Sequence, residues 1–128
     1  MDRPSKKYTL LIIEDDLAIL MALGDKFSHE GFNVITAKNG EEGLAMALAG
    51  QPDLILLDII MPVMDGVTTL KKLRKDEWGK DVPVIILTNL GDDKQVSQSM
   101  EEGVYDYLIK TDWSLDDVVK KVKERLGV

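Results

Sequence analysis

The sequence predicts a doubly wound α/β domain, in which one mainly parallel sheet carries helices on both faces. Two observations predict it. Short apolar runs, most of them continuous rather than alternating, are typical of strands buried on both faces. Longer segments with helical periodicity lie between these runs and are bounded by capping and breaking residues. Strands that alternate with helices favour a parallel sheet joined by right-handed crossovers.

Five apolar runs are predicted as strands. They span residues 8–13, 33–37, 53–57, 82–87 and 105–109. The helix after the first run has an apolar face and is predicted to end near Gly31. That face consists of Leu17, Leu20, Met21 and Phe27. Met21, Met46 and Met100 are interpreted as core-filling side chains.

The remaining helices are marked by their caps. Asn39 is predicted to cap a second helix that runs through Ala49 and stops at Gly50 and Pro52. Asp65 and Gly66 are interpreted as a turn and cap before a third helix.

Asp92 precedes a fourth helix, which is predicted to end near Gly103. Ser114 and Asp117 have the spacing of a capping box for the last helix.

Composition limits the class of protein. The 128 residues fit one compact domain, predicted over residues 8–128 after a loose tail of residues 1–7. A net charge of −7 argues against direct nucleic-acid binding. With no cysteine, no signal peptide and no apolar run long enough to span a membrane, a cytoplasmic protein is expected.

Charged and polar side chains follow the predicted strands, and parallel strands end at one edge of their sheet. These side chains are Glu14, Asp15, Asp16, Asp58, Thr88 and Lys110. Carboxylates brought together repel, so a cation is expected between them. Oxygen ligands without neighbouring His or Cys favour Mg²⁺ or Mn²⁺.

Phosphoryl transfer is the chemistry that this set of residues suits. Asp58 is the candidate nucleophile, because a carboxylate can attack phosphorus and form an acyl phosphate. The metal and Lys110 would neutralise charge on the transferred group, and the Thr88 hydroxyl could donate to a phosphoryl oxygen.

Several segments of the chain resemble the receiver domains of two-component response regulators, such as chemotaxis regulators. They are Ile13-Glu14-Asp15-Asp16, the stretch DIIMPVMDG over residues 58–66, Thr88, and Tyr107-Leu108-Ile109-Lys110. The resemblance covers nearly the whole chain in order and spacing. It implies a (βα)5 three-layer sandwich of flavodoxin-like topology, with strand order 2-1-3-4-5.

The resemblance implies a role for each matching residue of the metal site. Glu14 and Asp15 match the acidic pair that holds Mg²⁺. Asp58 matches the phosphoacceptor and a further metal ligand, and the backbone carbonyl of Ile60 matches another protein ligand of the metal.

The resemblance also implies a switch and its partners. Thr88 matches the switch hydroxyl, Lys110 the phosphoryl-contacting lysine and Tyr107 the aromatic that turns inward on activation. The phosphodonor would be a sensor histidine kinase or a phosphotransfer protein. The output face would be the fourth helix, fifth strand and fifth helix, facing a downstream protein or effector domain. The domain would be a monomer, or a dimer through this face on phosphorylation.

This chain departs from the family pattern beside the site. Thr111 stands where the family commonly has proline, often in a cis bond, so the loop after Lys110 is expected to be trans or strained. Asn89 stands where the family usually has a small residue. Apolar Ile60 and Leu90 are predicted to slow attack of water on a phosphoaspartate.

Other function classes fit less well. A flavin-binding domain needs a first loop rich in Ser, Thr and Gly, which the acidic residues 14–16 replace. A haloacid-dehalogenase-type phosphatase needs two aspartates separated by one residue at the end of its first strand. The remaining alternative is a receiver-like interaction module that functions without phosphorylation.

Overall fold

The computed structural model describes residues 7–89 and 91–128, and within them it contains a single parallel sheet of five strands. The strands are β1 (Thr9–Ile13), β2 (Asn33–Ala37), β3 (Leu54–Asp58), β4 (Val84–Thr88) and β5 (Asp106–Ile109). Their order is β2-β1-β3-β4-β5, and each neighbouring pair is parallel. The predicted fold class and strand order are confirmed. The predicted tail, apart from residue 7, and Leu90 lie outside the described residues.

Five helices connect and cover the strands of this sheet. They are α1 (Leu17–His29), α2 (Gly40–Gly50), α3 (Gly66–Arg74), α4 (Asp93–Glu101) and α5 (Leu115–Leu126). The predicted caps of α2 and α3 form, since Asn39 Oδ1 accepts from Glu42 N and Asp65 Oδ1 accepts from Thr68 N, both at 2.8 Å. The capping box of Ser114 and Asp117 at α5 is also present.

The strand bounds differ from the predicted ones at the functional edge of the sheet. Asp58 and Thr88 are the last residues of their strands rather than the residues after them. Asp58 pairs with Leu87, and Thr88 pairs with Ile109. The polar residues stay in the ladder because a neighbouring strand extends beside each of them. Strand pairing therefore fixes the backbone of both residues.

The core forms two layers, one on each face of the sheet. Alternate strand residues point to opposite faces, so Leu11 and Ile13 join the layer under α2 and α3. Leu10 and Ile12 join the layer under α1 and α5, together with Phe27. The two fully buried central strands are therefore apolar on both faces, which produces their continuous apolar runs.

The prediction that the methionines fill the core is wrong for Met21, Met46 and Met100, which are 68%, 39% and 47% exposed. Leu17 on the predicted apolar face of α1 is exposed as well. A helix turns about 100° per residue, so Met21 lies well away from Leu20 around the helix axis. The buried face of α1 consists of Leu20, Leu23 and Phe27.

Val63, in the loop between β3 and α3, has a positive φ of 69° and is 73% exposed. A β-branched residue is strained in this conformation, whereas Asn tolerates it. We expect Val63→Asn to raise the free energy of unfolding by about 1 kcal/mol in urea denaturation. Val63→Thr is the control, because it keeps the branched Cβ. Equal stabilities of the Asn and Thr variants would show that the loop is not strained.

Candidate functional site

Three strand ends place charged groups at one edge of the sheet. Glu14 follows β1, and its N–H donates to Ala37 O at 3.0 Å. Asp58 ends β3, between β1 and β4. Lys110 follows β5, and its N–H donates to Thr88 O at 2.7 Å. The backbone of each residue is thus held by the neighbouring strand or its extension.

Three of the four acidic residues that were predicted at this edge lie together. One carboxylate oxygen from each of Glu14, Asp15 and Asp58 lies within 4.8 Å of the others. Glu14 is 0% and Asp58 2% exposed, whereas Asp15 is exposed to solvent. The cluster therefore has a buried floor and one accessible side.

Lys110 is the cation that contacts both buried carboxylates. Its Nζ lies 2.6 Å from Glu14 Oε1 and 3.3 Å from Asp58 Oδ1. Burial alone would lower the pKa of Lys110, but its contacts with Glu14 and Asp58 outweigh burial and raise it. The ammonium is therefore held in its charged form between the two carboxylates.

One ammonium does not neutralise the cluster. Burial, and next the charge of Glu14, raise the pKa of Asp58 to about 8 despite the opposing effect of Lys110. Glu14 Oε1 and Asp58 Oδ1 are buried and, although near Lys110 Nζ, make no hydrogen bond of good geometry with any described group. Two under-coordinated oxygens beside an exposed third carboxylate fit a hard divalent cation.

Asp16 does not belong to this cluster. Its Oδ1 accepts from Ala18 N and Ile19 N at 3.0 and 3.2 Å, so it caps α1. Its own N–H donates to Glu14 Oε2 at 3.0 Å. This contact orients the Glu14 carboxylate and leaves Oε1 facing Lys110.

The loop after Asp58 packs closely against the strand that it leaves. Gly66 N donates to Ile59 O at 2.6 Å. A Cβ on Gly66 would lie 2.4 Å from Asp58 O and 2.7 Å from Ile59 Cα. The sequence interpretation of Gly66 as part of a turn and cap missed this contact. The available signal was a glycine inside the first turn of a helix, where glycine is not favoured. Ile60 lies in this loop with an exposed side chain, and the role of its carbonyl stays a prediction.

Thr88 and Tyr107 both line a cavity of about 220 Å³, which α4 also lines. Thr88 is buried, and its Oγ1 makes only a long hydrogen bond, 3.3 Å, to Asn89 O. The Tyr107 side chain is 41% exposed. Thr88 therefore has a weakly held hydroxyl beside the cavity, and Tyr107 is a partly exposed residue that lines it.

The two residues that depart from the family pattern beside the site, Thr111 and Asn89, leave the site intact. The described residues contain no cis peptide bond, so Thr111 follows Lys110 through a trans bond. Asn89 is exposed and lines the cavity beside Thr88. Neither residue separates Lys110 from the carboxylates.

A family model described as the response regulator receiver domain matches residues 10–123, which is most of the chain. The chain belongs to this family. The receiver domain is 38% identical over 117 residues to the DNA-binding dual master transcriptional regulator RpaA of Synechocystis sp.. That alignment covers 91% of the chain and 48% of RpaA, so the chain spans about half of this relative.

Solved structures of receiver domains have the same architecture. A CheY-like receiver domain protein from Methanospirillum hungatei is 30% identical with a TM-score of 0.88, covering 95% of each chain. A chain in the CheX-CheY-BeF3-Mg²⁺ complex from Borrelia burgdorferi is also 30% identical, with a TM-score of 0.83, covering 93% of this receiver domain and 89% of that chain. Within the described residues, none of the receiver domain's helices is both long and apolar enough to span a bilayer.

Proposed function

We propose that this receiver domain is a phosphorylation-dependent switch in which Asp58 accepts a phosphoryl group from a histidine kinase or a phosphotransfer protein. The observation that carries the proposal is the buried Asp58 carboxylate, which lies close to the carboxylates of Glu14 and Asp15 and in contact with the Lys110 ammonium. A nucleophile held among acidic groups and a lysine fits transfer of a charged phosphoryl group.

Glu14, Asp15, Asp58 and the Ile60 carbonyl would hold Mg²⁺, or Mn²⁺ in its place. The CheX-CheY complex from Borrelia burgdorferi includes BeF3 and Mg²⁺, so a relative of this domain supports the assignment. When bound, the cation would supply positive charge that offsets the charge of the carboxylates and of the incoming phosphoryl group. The under-coordinated oxygens of Glu14 and Asp58 suit this role.

Asp58 and Lys110 have different roles in the transfer. An Asp58 carboxylate oxygen forms a bond to phosphorus while the bond from phosphorus to the donor's histidine nitrogen breaks. Lys110, 3.3 Å from Asp58 Oδ1, balances charge on the phosphoryl oxygens. Later attack by water returns the carboxylate and releases phosphate. The domain thus promotes its own phosphorylation and dephosphorylation, and it functions as a switch rather than as a turnover enzyme.

Thr88 and Tyr107 would convert phosphorylation into a change of surface. The Thr88 hydroxyl has only a weak bond to lose and could donate to a phosphoryl oxygen. Movement of the β4–α4 loop toward the phosphoryl group would let Tyr107 turn into the adjacent cavity. The altered surface would be that of α4, β5 and α5, which a downstream protein, an effector domain or a second copy would recognise.

The net charge of the domain and its relatives indicate which partners to expect. RpaA is named as a DNA-binding regulator, but the chain aligns with only 48% of it. We propose that any DNA contact belongs to a partner or effector, because the net charge of −7 disfavours nucleic-acid binding by this domain. A cytoplasmic location fits this role. A module that functions without phosphorylation is not favoured, since the proposed site residues are all present.

The direct test is incubation of the protein with acetyl phosphate and Mg²⁺, followed by intact-mass measurement. We expect one added phosphoryl group, which EDTA prevents and which hydroxylamine removes, as an acyl phosphate requires. Mn²⁺ should substitute for Mg²⁺. If no adduct forms and Mg²⁺ does not bind, the phosphorylation-independent module becomes the better assignment.

A further inference from the structure

The loop between β5 and α5 carries Lys110, the residue that contacts both buried carboxylates of the site. Lys110 N donates to Thr88 O at 2.7 Å, which holds the loop where it leaves the sheet. Asp112 N donates to Ile109 O at 2.9 Å and closes a turn with Lys110 and Thr111 at its centre. Two backbone hydrogen bonds therefore fix the start of the loop.

Trp113 contacts the core on the far side of this turn. It is partly buried, and its side chain packs against the layer under α1 and α5. Among residues 111–114 it is the only apolar residue, and the other three are exposed to solvent. These four residues include neither proline nor cysteine, so neither a fixed φ nor a disulfide restrains the backbone. The indole is therefore the apolar contact that ties the loop to the core before α5 begins.

The indole acts through its apolar area rather than through its nitrogen. Trp113 Nε1 is buried and makes no hydrogen bond with a described group. A buried donor without an acceptor is unfavourable, whereas burial of the aromatic surface is favourable. Phenylalanine would keep an aromatic ring against the layer and would remove the unpaired donor. The packing of the ring, and not a polar contact, therefore holds the loop.

The contacts of Lys110 are short enough to depend on where its backbone lies. Its Nζ is 2.6 Å from Glu14 Oε1 and 3.3 Å from Asp58 Oδ1, and its side chain is only 11% exposed. We propose that Trp113 is a positioning residue, which keeps the Lys110 ammonium beside the two carboxylates and so sets the rate of phosphoryl transfer. The effect on the rate rests on the proposed function, whereas the placement of Lys110 is a property of the metal-free protein.

The effect on the rate can be measured with acetyl phosphate and saturating Mg²⁺, in variants that circular dichroism shows to be folded. We expect the initial labelling rate of Trp113→Ala to fall by about 10- to 100-fold, because a displacement of about 1 Å at a reacting group can slow a reaction by about 100-fold. Trp113→Phe should restore the wild-type rate, since its ring packs in the same place.

Trp78→Ala is the matched control for the loss of a large aromatic side chain. Trp78 is also partly buried, but it packs against the layer under α2 and α3, on the opposite face of the sheet. Trp78→Ala should lose stability and keep the labelling rate of wild type. An equal loss of rate in Trp78→Ala and Trp113→Ala would overturn the positioning role, as would an equal loss in Trp113→Phe or a wild-type rate in Trp113→Ala.

Binding of Mn²⁺ alone separates positioning from general damage to the site. The Lys110 ammonium lies beside Glu14 and Asp58, which are proposed metal ligands, so its displacement removes a charge that repels the cation. Trp113→Ala should therefore bind Mn²⁺ at least as tightly as wild type in a titration followed by electron paramagnetic resonance. Weaker binding together with slower labelling would mean that the whole site is damaged, which contradicts the proposal.

NMR of the metal-free protein tests the placement of Lys110 without phosphoryl transfer. The side-chain carboxyl carbons of Glu14 and Asp58 report on the ammonium beside them. Their signals should shift in Trp113→Ala in the same direction as in Lys110→Ala, and should match wild type in Trp113→Phe and Trp78→Ala. If Trp113→Ala does not fold, Trp113→Leu keeps part of the apolar contact and should give smaller shifts of the same sign.

The two proposals fail in different ways. If wild-type protein is not labelled, the proposed function fails, and the carboxyl signals still decide whether Trp113 positions Lys110. If wild type is labelled but the carboxyl signals of the folded Trp113→Ala or Trp113→Leu variant match those of wild type, the positioning role alone is refuted.

Discussion

Asp58→Asn is expected to abolish phosphorylation by acetyl phosphate completely. The carboxamide lacks the anionic oxygen that attacks phosphorus, and Asp58 is the proposed acceptor, buried and with its Oδ1 3.3 Å from Lys110 Nζ. Intact-mass measurement over a time course should show no adduct in the variant under conditions that phosphorylate wild type. An adduct of equal yield would move the acceptor to another residue, with exposed Asp15 as the first candidate.

Misfolding should not explain that loss. Because burial and Glu14 raise the pKa of Asp58 to about 8, the site disfavours a negative charge there, and a neutral Asn should be tolerated without loss of stability. Asp15→Asn is the matched control, since it removes a carboxylate of the cluster without removing the acceptor. This control should still be phosphorylated, but at a higher Mg²⁺ concentration.

The sequence was sufficient for the fold because several local signals agree. The continuous apolar runs of β3 and β4 report burial on both faces, and Asn39, Asp65 and Ser114 mark helix starts through their own side chains. The prediction that the methionines fill the core failed because periodicity does not distinguish an inner apolar face from an exposed apolar position. Met21 looks like core in sequence and is exposed in the structure.

The sequence was enough to predict which residues meet at the site. Parallel strands end at one edge, and this rule alone brings Glu14, Asp58 and Lys110 together. The sequence could not show that Asp15 is exposed while Glu14 is buried, or that Lys110 lies nearer to Glu14 than to Asp58. Those features depend on side-chain direction and neighbours.

Contacts to backbone were the part that sequence reasoning missed altogether. Arg74 binds four carbonyls, and a carbonyl is present at every residue, so no residue type reveals the partner. Trp113 packs against the layer under α1 and α5, and its indole Nε1 is buried without a hydrogen bond to a described group. Nothing in the sequence assigns this side chain a role.

The close approach of Gly66 to the acceptor strand predicts a large effect for a single added methyl group. In Gly66→Ala the new Cβ would meet Asp58 O at 2.4 Å and Ile59 Cα at 2.7 Å, and both are backbone atoms that cannot rotate away. Either α3 or the end of β3 must shift. We expect the free energy of unfolding to fall by about 3 kcal/mol in urea denaturation.

The same shift should impair the chemistry more than the fold. Asp58 and the Ile60 carbonyl belong to the segment that Gly66 contacts, and a displacement of about 1 Å at reacting groups can slow a reaction by about 100-fold. Initial rates of acetyl phosphate labelling should therefore fall by a factor of this order in protein that is still folded.

Gly24→Ala is the matched control, because its Cβ would meet only side-chain carbons at 3.9 Å. It should keep the labelling rate and the stability of wild type or slightly more, since alanine favours a helix. If Gly66→Ala behaves like Gly24→Ala in both measurements, the contact between α3 and the acceptor strand does not hold the site in place.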